Sequence, residues 1–270
     1  MKDQIDQSQT RLSLAQLPTP LERLERLSDA LGLEIWMKRD DLTGFAMGGN
    51  KVRKLEYLML EAIRARADTV LTSGALQSNH ARQTAAAAAR LGLSSVLVLA
   101  EAVQGRTATY ASGGNLVLDR LVGSDIRRVP HGEDPAAVIE TTVRELEAKG
   151  RKVFVIPVGG SNVTGALGYR QAAQELDAQL VSAGVEATQI VMASGSGGTQ
   201  AGLVLGTATP VLGVSVSSSE QELSDKVRGI VAEAVDTHGV YRGARPQDHG
   251  RRRFLGGRLR ASRPRRCTRR

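Results

Sequence analysis

Cysteine is nearly absent from this sequence of 270 residues, and the single thiol, Cys267, has no partner within the chain. A fold held together by disulfide bonds is therefore excluded. No apolar run approaches the roughly 20 residues that span a bilayer, and the first residues are polar, so neither a membrane span nor a secretion signal is predicted. The four histidines are scattered, which predicts no metal site. We expect a cytoplasmic protein of one large or two modest domains.

The positive charge is confined to one end of the chain. The formal net charge is +8, but the segment 241–270 contains twelve arginines against one acid, Asp248, which leaves the rest of the chain at −3. Because this segment has no apolar periodicity, we expect it to be disordered. A basic tail could bind nucleic acid in a salt-sensitive manner. It has no recognisable motif and few aromatic residues, so we expect no nucleic-acid partner.

Short apolar runs alternate with helical patterns between residues 68 and 216. Five runs are predicted strands, and their continuous apolar character predicts burial on both faces of a parallel sheet: 69–72, 95–99, 153–158, 189–193 and 211–216. Four segments are predicted helices: 51–67, 81–91, the segment from Asp134 to about Gly150, and 167–180. Asp134 would cap the helix that begins with Pro135, and Gly92 would end the helix predicted over 81–91. This order predicts an α/β fold with parallel strands.

The first chemical motif is a pair of glycines, Gly48 and Gly49, that place Lys51 at the start of a helix. Glycines allow a tight turn and a close approach to a ligand. The helix N-terminus favours an anion, and a lysine there loses its proton more readily, which suits covalent chemistry with a carbonyl. The alternative is an ordinary turn followed by a helix whose lysines are solvated.

Two further loops follow strands, where ligands bind in open α/β sheets. The loop 73–80 offers Ser78, Asn79 and His80 to a substrate or cofactor, although Ser78 or Asn79 could merely cap the next helix and His80 could be a structural hydrogen-bonding group. The loop 194–202 has the closely spaced small residues of a phosphate-binding nest without nucleotide-binding features. Its alternative is a flexible turn. The segment 159–162 is either another wall of the cleft or only a turn.

A reactive lysine and a separate phosphate nest together suggest pyridoxal phosphate. Longer strings extend this interpretation, namely residues 17–21, 37–41, 46–51, 53–56, 77–80, 82–84 and 158–162. These strings resemble the D-cysteine desulfhydrase and ACC deaminase family, from about residue 12 to about residue 235. The resemblance implies the tryptophan-synthase-β-like architecture, fold type II of pyridoxal-phosphate enzymes, with two domains built on parallel sheets. It also implies a small domain of residues 52–160 packed on a large domain of residues 1–51 and 161–240, which is incomplete here. The Arg-rich tail of residues 241–270 has no counterpart in the resemblance.

The resemblance also implies roles for individual residues. Lys51 would bind the cofactor covalently and act as the base, and Ser78 would assist proton transfer or hold the substrate carboxylate. Asn50 and Asn79 would lie near the cofactor ring. The phosphate would be bound by Gly195, Ser196, Gly197, Gly198 and Thr199.

The implied activity is β-elimination from a sulfur-bearing amino acid, with D-cysteine giving pyruvate, ammonia and hydrogen sulfide. L-Cysteate sulfo-lyase and ACC deaminase activities are alternatives within the same class. The family's C-terminal part is not matched after about residue 235, so a cofactor-binding remnant with impaired catalysis is a further alternative. Family members are commonly dimers, and a homodimer is carried over as an expectation.

Overall fold

The computed structural model describes residues 8–103 and 105–239. The Arg-rich segment 241–270, for which we expect disorder, lies outside the described residues. The strands are β1 (Leu21–Arg23), β2 (Trp36–Lys38), β3 (Thr69–Ala75), β4 (Ser94–Ala100), β5 (Asp125–Val129), β6 (Val153–Ile156), β7 (Ile190–Ser194) and β8 (Val211–Ser215). The helices are α1 (Glu25–Leu31), α2 (Lys51–Arg64), α3 (Asn79–Leu91), α4 (Ala108–Ser112), α5 (Asn115–Leu121), α6 (Pro135–Ala148), α7 (Val163–Ala183), α8 (Gly198–Gly206) and α9 (Glu220–His238).

A four-stranded parallel sheet in the order β5-β4-β3-β6 organises residues 69–156. Val70 packs with buried residues of α2 and α3, and Leu97 and Leu99 pack with α3 and α5 on the same face. Leu71 and Val96 point to the opposite face, which α6 covers. Because both faces are covered by helices, β3 and β4 are the continuous apolar runs that the sequence predicted.

A second parallel pair, β7 and β8, follows. Ile190 and Met192 pack against α7 and α8, whereas Val191 on the other face is 61% exposed. Val155 of β6 is 44% exposed. The prediction that all five strands are buried on both faces was therefore wrong for β6 and β7. The reason is that β6 is an edge strand, and that only one face of the β7–β8 pair is packed against helices within the described residues.

The predicted helices are confirmed, with small changes at their ends. The Asp134 side chain accepts a hydrogen bond from the Ala136 amide at 2.9 Å, with Pro135 as the first helical residue. Gly92 ends α3 in the left-handed conformation at φ 69°. The sequence interpretation missed α9, although Ser219 and Glu222 form a capping box at its start. Across residues 8–103 and 105–239, no helix is both long enough and apolar enough to span a membrane.

Glycines bring α7 into close contact with α2 and with α8. A Cβ atom on Gly168 would lie 2.2 Å from the Arg53 carbonyl oxygen on α2. A Cβ atom on Gly202 of α8 would lie 2.4 Å from the Ala166 carbonyl oxygen on α7. Because no larger residue fits at these positions, the two contacts determine how closely the start of α2 approaches the start of α8.

Candidate active site

The loop before α2 places Lys51 at the first position of the helix. Gly48 has φ 75°, and a Cβ atom there would lie 1.9 Å from the Asp41 carbonyl oxygen, so only glycine fits. The buried side chain of Gln83, on α3, forms hydrogen bonds with the backbone of this loop. Its oxygen accepts a hydrogen bond from the Lys51 amide at 3.1 Å, and its nitrogen donates to the Phe45 carbonyl at 3.1 Å. The sequence interpretation assigned Gln83 no role.

The Lys51 amine is desolvated and held by an amide. Burial lowers the pKa of Lys51, which favours the neutral amine that reacts with a carbonyl. The Nζ atom donates to Asn50 Oδ1 at 3.1 Å, and Asn79 Nδ2 donates to the same oxygen at 3.4 Å. The structure thus brings together three of the side chains that the resemblance assigned to the cofactor.

The start of α3 lies beside this cluster. Ser78 is the N-cap, and its hydroxyl oxygen accepts a hydrogen bond from the Ala81 amide at 3.2 Å, so the capping interpretation of Ser78 is confirmed. His80 is buried, and its Nε2 atom is 2.9 Å from the Thr72 hydroxyl. Burial, together with the positive charges of Lys51 and Lys54, lowers the pKa of His80 to about 3. A neutral, buried imidazole fits the structural role that the sequence offered as the alternative.

The small-residue loop after β7 turns directly into α8. Gly197 is its N-cap in the left-handed conformation and, as a glycine, supplies no capping side chain. The Gly198 amide donates to Ser161 Oγ at 3.2 Å, and the Thr199 hydroxyl accepts from Asn50 Nδ2 at 3.3 Å. The start of α8 is therefore an electropositive turn, and it is hydrogen-bonded to Asn50, the residue that precedes Lys51.

The segment 159–162 forms a turn and contacts the small-residue loop before α8. Ser161 Oγ is 2.7 Å from Ser196 Oγ, and a Cβ atom on Gly159 would lie 2.3 Å from the same Ser196 oxygen. Asn162 caps α7 by accepting from the Gly165 amide at 2.9 Å. The segment is therefore more than a turn, because it also contacts the small-residue loop before α8.

Lys54 lies between these loops, and the sequence interpretation missed it. Its Nζ atom donates to the Gly159 carbonyl at 3.0 Å and to Ser161 Oγ at 3.3 Å. Lys54 is buried, so the alternative of a solvated lysine was wrong for this residue. Burial, and then the charge of Lys51, lower its pKa well below the usual value. The spacing of three residues from Lys51 was an available signal, because such residues share one helix face.

These residues fit pyridoxal phosphate. A partly buried amine with a lowered pKa suits an aldehyde, and the helix start beside Lys54 suits a phosphate. The two subsites are joined by the hydrogen bond between Asn50 and Thr199. No group of three or more His, Cys, Asp or Glu side chains that could hold a metal ion occurs in the part of the chain that the structure describes.

Comparison with known proteins defines the class of protein. The family model "Pyridoxal-phosphate dependent enzyme" matches residues 12–255, and the chain belongs to this family. The cofactor is pyridoxal phosphate, and the expected fold type II architecture is confirmed. The match ends about twenty residues beyond the point that the sequence strings indicated.

Among curated proteins, the chain is similar to D-cysteine desulfhydrases. It is 48% identical to that of Klebsiella pneumoniae and 47% identical to that of Salmonella paratyphi B, in each case over 222 residues. These alignments cover 80% of this chain and 67% of each relative.

Among solved structures, an ACC deaminase homologue superimposes with a TM-score of 0.76 and 37% identity, covering 88% of this chain and 73% of that chain. A threonine deaminase from T.th., at a TM-score of 0.55 and 24% identity, shares the fold; that alignment covers 73% of this chain and 59% of that chain.

Proposed function

We propose that this protein is a pyridoxal-phosphate-dependent lyase that converts D-cysteine and water into pyruvate, ammonia and hydrogen sulfide. The 48% identity to a protein named D-cysteine desulfhydrase supports the substrate. The observation that carries the chemistry is the placement of the Lys51 amine. It is desolvated, it is bound to Asn50, and it is linked through Asn50 to an electropositive turn suited to a phosphate.

Lys51 would act both as the cofactor lysine and as the base that removes the Cα proton. The cofactor supplies an electron-withdrawing ring that acidifies this proton when it is bound. The lowered pKa of Lys51 keeps a larger fraction of the amine in the neutral form near pH 7, which is the form that accepts a proton. Asn50 Oδ1, at 3.1 Å from Nζ, would hold the amine in one direction and stabilise the ammonium that forms.

The start of α3 would bind the substrate carboxylate. Backbone N–H groups at a helix N-terminus point toward an anion, and the positive end of the helix dipole favours it. Ser78 uses its oxygen to accept the Ala81 amide, so its hydroxyl proton is available to a carboxylate oxygen. Lys54 would neutralise part of the charge of the cofactor phosphate across the cleft.

The test is product formation by the purified protein with added pyridoxal phosphate and D-cysteine. We expect sulfide and pyruvate in equal amounts, formed with wild-type protein and not with Lys51→Ala. Lys149→Ala, which changes an exposed lysine, is the matched control and should be as active as wild type. Sulfite from L-cysteate, or 2-oxobutyrate from 1-aminocyclopropane-1-carboxylate, in place of sulfide would assign one of the two alternative activities.

Cofactor binding is separated from turnover by a second measurement. A visible absorbance band that borohydride abolishes, leaving the cofactor attached to Lys51, shows cofactor binding. If this occurs without pyruvate formation, the protein binds the cofactor with impaired catalysis, and the proposed lyase activity is contradicted.

We also propose a homodimer, on the resemblance alone. Light scattering on the purified protein in solution gives the molecular mass that decides between monomer and dimer. The cytoplasmic location stays a prediction.

A further inference from the structure

The backbone of residues 45–49, which we call the lysine loop, is strained. Four consecutive residues, Ala46, Met47, Gly48 and Gly49, have φ angles of 47°, 67°, 75° and 120°. Glycine adopts such angles readily, whereas a residue with a Cβ atom is strained there. Met47 is 78% exposed, so packing of its side chain does not impose its angle. Strained residues of this kind persist only where other contacts hold the backbone.

The side chain of Gln83 holds both ends of the lysine loop. Its Nε2 atom donates to the Phe45 carbonyl at 3.1 Å and to the Gly49 carbonyl at 3.3 Å. Its Oε1 atom accepts from the Lys51 amide at 3.1 Å. Because Gln83 is fully buried on α3, water does not replace these hydrogen bonds when they are lost. One amide group therefore joins both ends of the strained segment to the first residue of α2.

Two neighbouring side chains complete the attachment of the lysine loop. Arg82 Nη2 donates to the Gly48 carbonyl at 3.0 Å, and the Thr43 hydroxyl donates to the Gly49 carbonyl at 2.9 Å. Together with the bonds of Gln83, side chains thus bind three of the five carbonyl groups of the lysine loop. Arg82 and Gln83 both belong to α3, so this helix determines how the loop enters α2.

We propose that Gln83 is a positioning residue for the Lys51 amine, because it holds the lysine loop in the strained form that fixes the first turn of α2. This inference rests on the proposed role of Lys51 and adds a residue from α3 that acts through the backbone. Gln83 binds the Lys51 amide, whereas Asn50 binds the Lys51 amine. Without Gln83, Met47 would relax toward negative φ and the amine would lose its partly buried position.

A double-mutant cycle on the full-length, cofactor-free protein tests whether Gln83 imposes the strain. Glycine is unstrained at φ 67°, so Met47→Gly should raise the melting temperature by roughly 2 °C. Gln83→Met keeps the length of the side chain and removes the amide that forms the three bonds. In that background Met47→Gly should give no increase, because the loop has already relaxed. Equal increases in both backgrounds, or no increase in wild type, would contradict the inference.

Competitive acetylation measures the consequence for Lys51 itself. A trace of acetic anhydride is applied to the cofactor-free protein at a series of pH values, and the labelling of Lys51 is quantified by peptide mass spectrometry. In Gln83→Met the midpoint of labelling should move about one pH unit higher than in wild type, because the relaxed amine gains water. An unchanged midpoint in folded Gln83→Met would overturn the inference.

Gln77→Met is the matched control, because Gln77 binds another loop in the same way. Its Nε2 atom donates to the Tyr110 and Gly113 carbonyls at 2.7 and 3.0 Å. Its Oε1 atom accepts at 2.9 Å from the amide of Asn115, the first residue of α5. Gln77→Met should lower the melting temperature without moving the Lys51 midpoint. A shift as large as that in the Gln83 variant would show a general loss of stability and would refute the positioning role.

A measurement on wild-type protein covers the case in which Gln83→Met does not fold. The first amides of a helix have no partner within it, so they exchange with solvent quickly unless another group binds them. The Lys51 amide should exchange about a hundredfold more slowly than that of Glu220, the exposed first residue of α9, after correction for intrinsic rates. Equally fast exchange would contradict the inference. Every readout uses cofactor-free protein, so a failure of D-cysteine turnover leaves them unaffected.

Discussion

Lys54 shows how one side chain can lower the stability of the cofactor-free protein and raise its affinity for the cofactor. Its ammonium is buried, and its partners are a carbonyl and a hydroxyl, with no carboxylate among its described hydrogen bonds. A buried cation with neutral partners is costly, and the lowered pKa of Lys54 expresses that cost. The same charge is well placed for a phosphate, because Ser161 links it to the start of α8.

Lys54→Met should therefore have opposite effects on stability and on cofactor affinity. Without cofactor, the melting temperature should rise, because an uncompensated buried charge is removed while the aliphatic volume is retained. The affinity for pyridoxal phosphate should fall by roughly tenfold or more, since a charge-assisted hydrogen bond is lost.

Calorimetry of the cofactor-free protein and a fluorescence titration with pyridoxal phosphate check the two effects. Lys149→Met, at an exposed position, should change neither quantity. A lower melting temperature together with unchanged affinity would assign Lys54 a purely structural role.

At the scale of elements, the site depends on how closely α2 and α7 pack. Gly168 contacts the Arg53 carbonyl, and Arg53 in turn forms paired hydrogen bonds with Glu175 of α7 at 2.9 and 3.0 Å. A glycine contact and a buried ion pair thus hold the first turn of α2, which carries Lys51, against one face of α7. The distance between the helices is set by a backbone contact, which leaves no room for adjustment.

Gly168→Ala should reduce the free energy of unfolding by about 2 kcal/mol or more, because the added Cβ atom would lie 2.2 Å from a backbone oxygen that cannot rotate away. Urea denaturation provides the measurement. Gly229→Ala is the control in α9, where a Cβ atom meets nothing within 4 Å, and it should stabilise the protein by roughly 0.5–1 kcal/mol. Equal effects of the two substitutions would show that the helix contact is looser than described.

At the scale of the whole molecule, buried charges determine the response to acid. Hydrogen bonds and the positive charges of Arg53 and Lys38 outweigh burial and hold the pKa of Glu175 at about 2. This contribution of Glu175 to stability is complete above pH 4.5 and is lost as the pH falls toward 2.

His80 changes the stability at higher pH than Glu175 does. Its folded-state pKa of about 3 lies below the ordinary 6.5, so the unfolded chain binds the proton first and stability falls below pH 6.5.

His80→Gln should therefore reduce the acid sensitivity of folding. Between pH 7.5 and pH 5, the free energy of unfolding of wild type should decrease by about 2 kcal/mol more than that of the variant. Glutamine can retain a hydrogen bond to the Thr72 hydroxyl, and the carboxyl of Asp119, whose pKa burial raises to about 6, is present in both proteins. Urea denaturation at the two pH values gives the difference.

His131→Gln, at an exposed position, should leave the pH dependence of unfolding as in wild type. Parallel pH profiles for wild type and His80→Gln would show that His80 binds its proton equally well in the folded and unfolded chain.

Local sequence predicted which polar residues of the candidate site lie at helix starts, because that depends only on neighbouring residues in the chain. Asn50 and Lys51, and Ser78 and Asn79, lie in two short strings, and each string places its polar groups at a helix start because glycine and serine have local conformational preferences. Tyr169, by contrast, lies in the first turn of the helix predicted over residues 167–180, and it belongs to none of the motifs read from the sequence. Its hydroxyl meets Asp40, 129 residues away, and no local pattern carries that information.

The sequence by itself determined the alternation of strands and helices, the positions of the turns, and the chemical type of each loop, because these follow from side-chain periodicity and from backbone conformations within a few residues. Only the tertiary structure decided that Lys54 is buried, that Gln83 supports the lysine loop, and that the Tyr169 hydroxyl donates to Asp40. Burial and polarity of this kind arise where separate elements pack together, because that packing removes water from the side chains and shifts their pKa values.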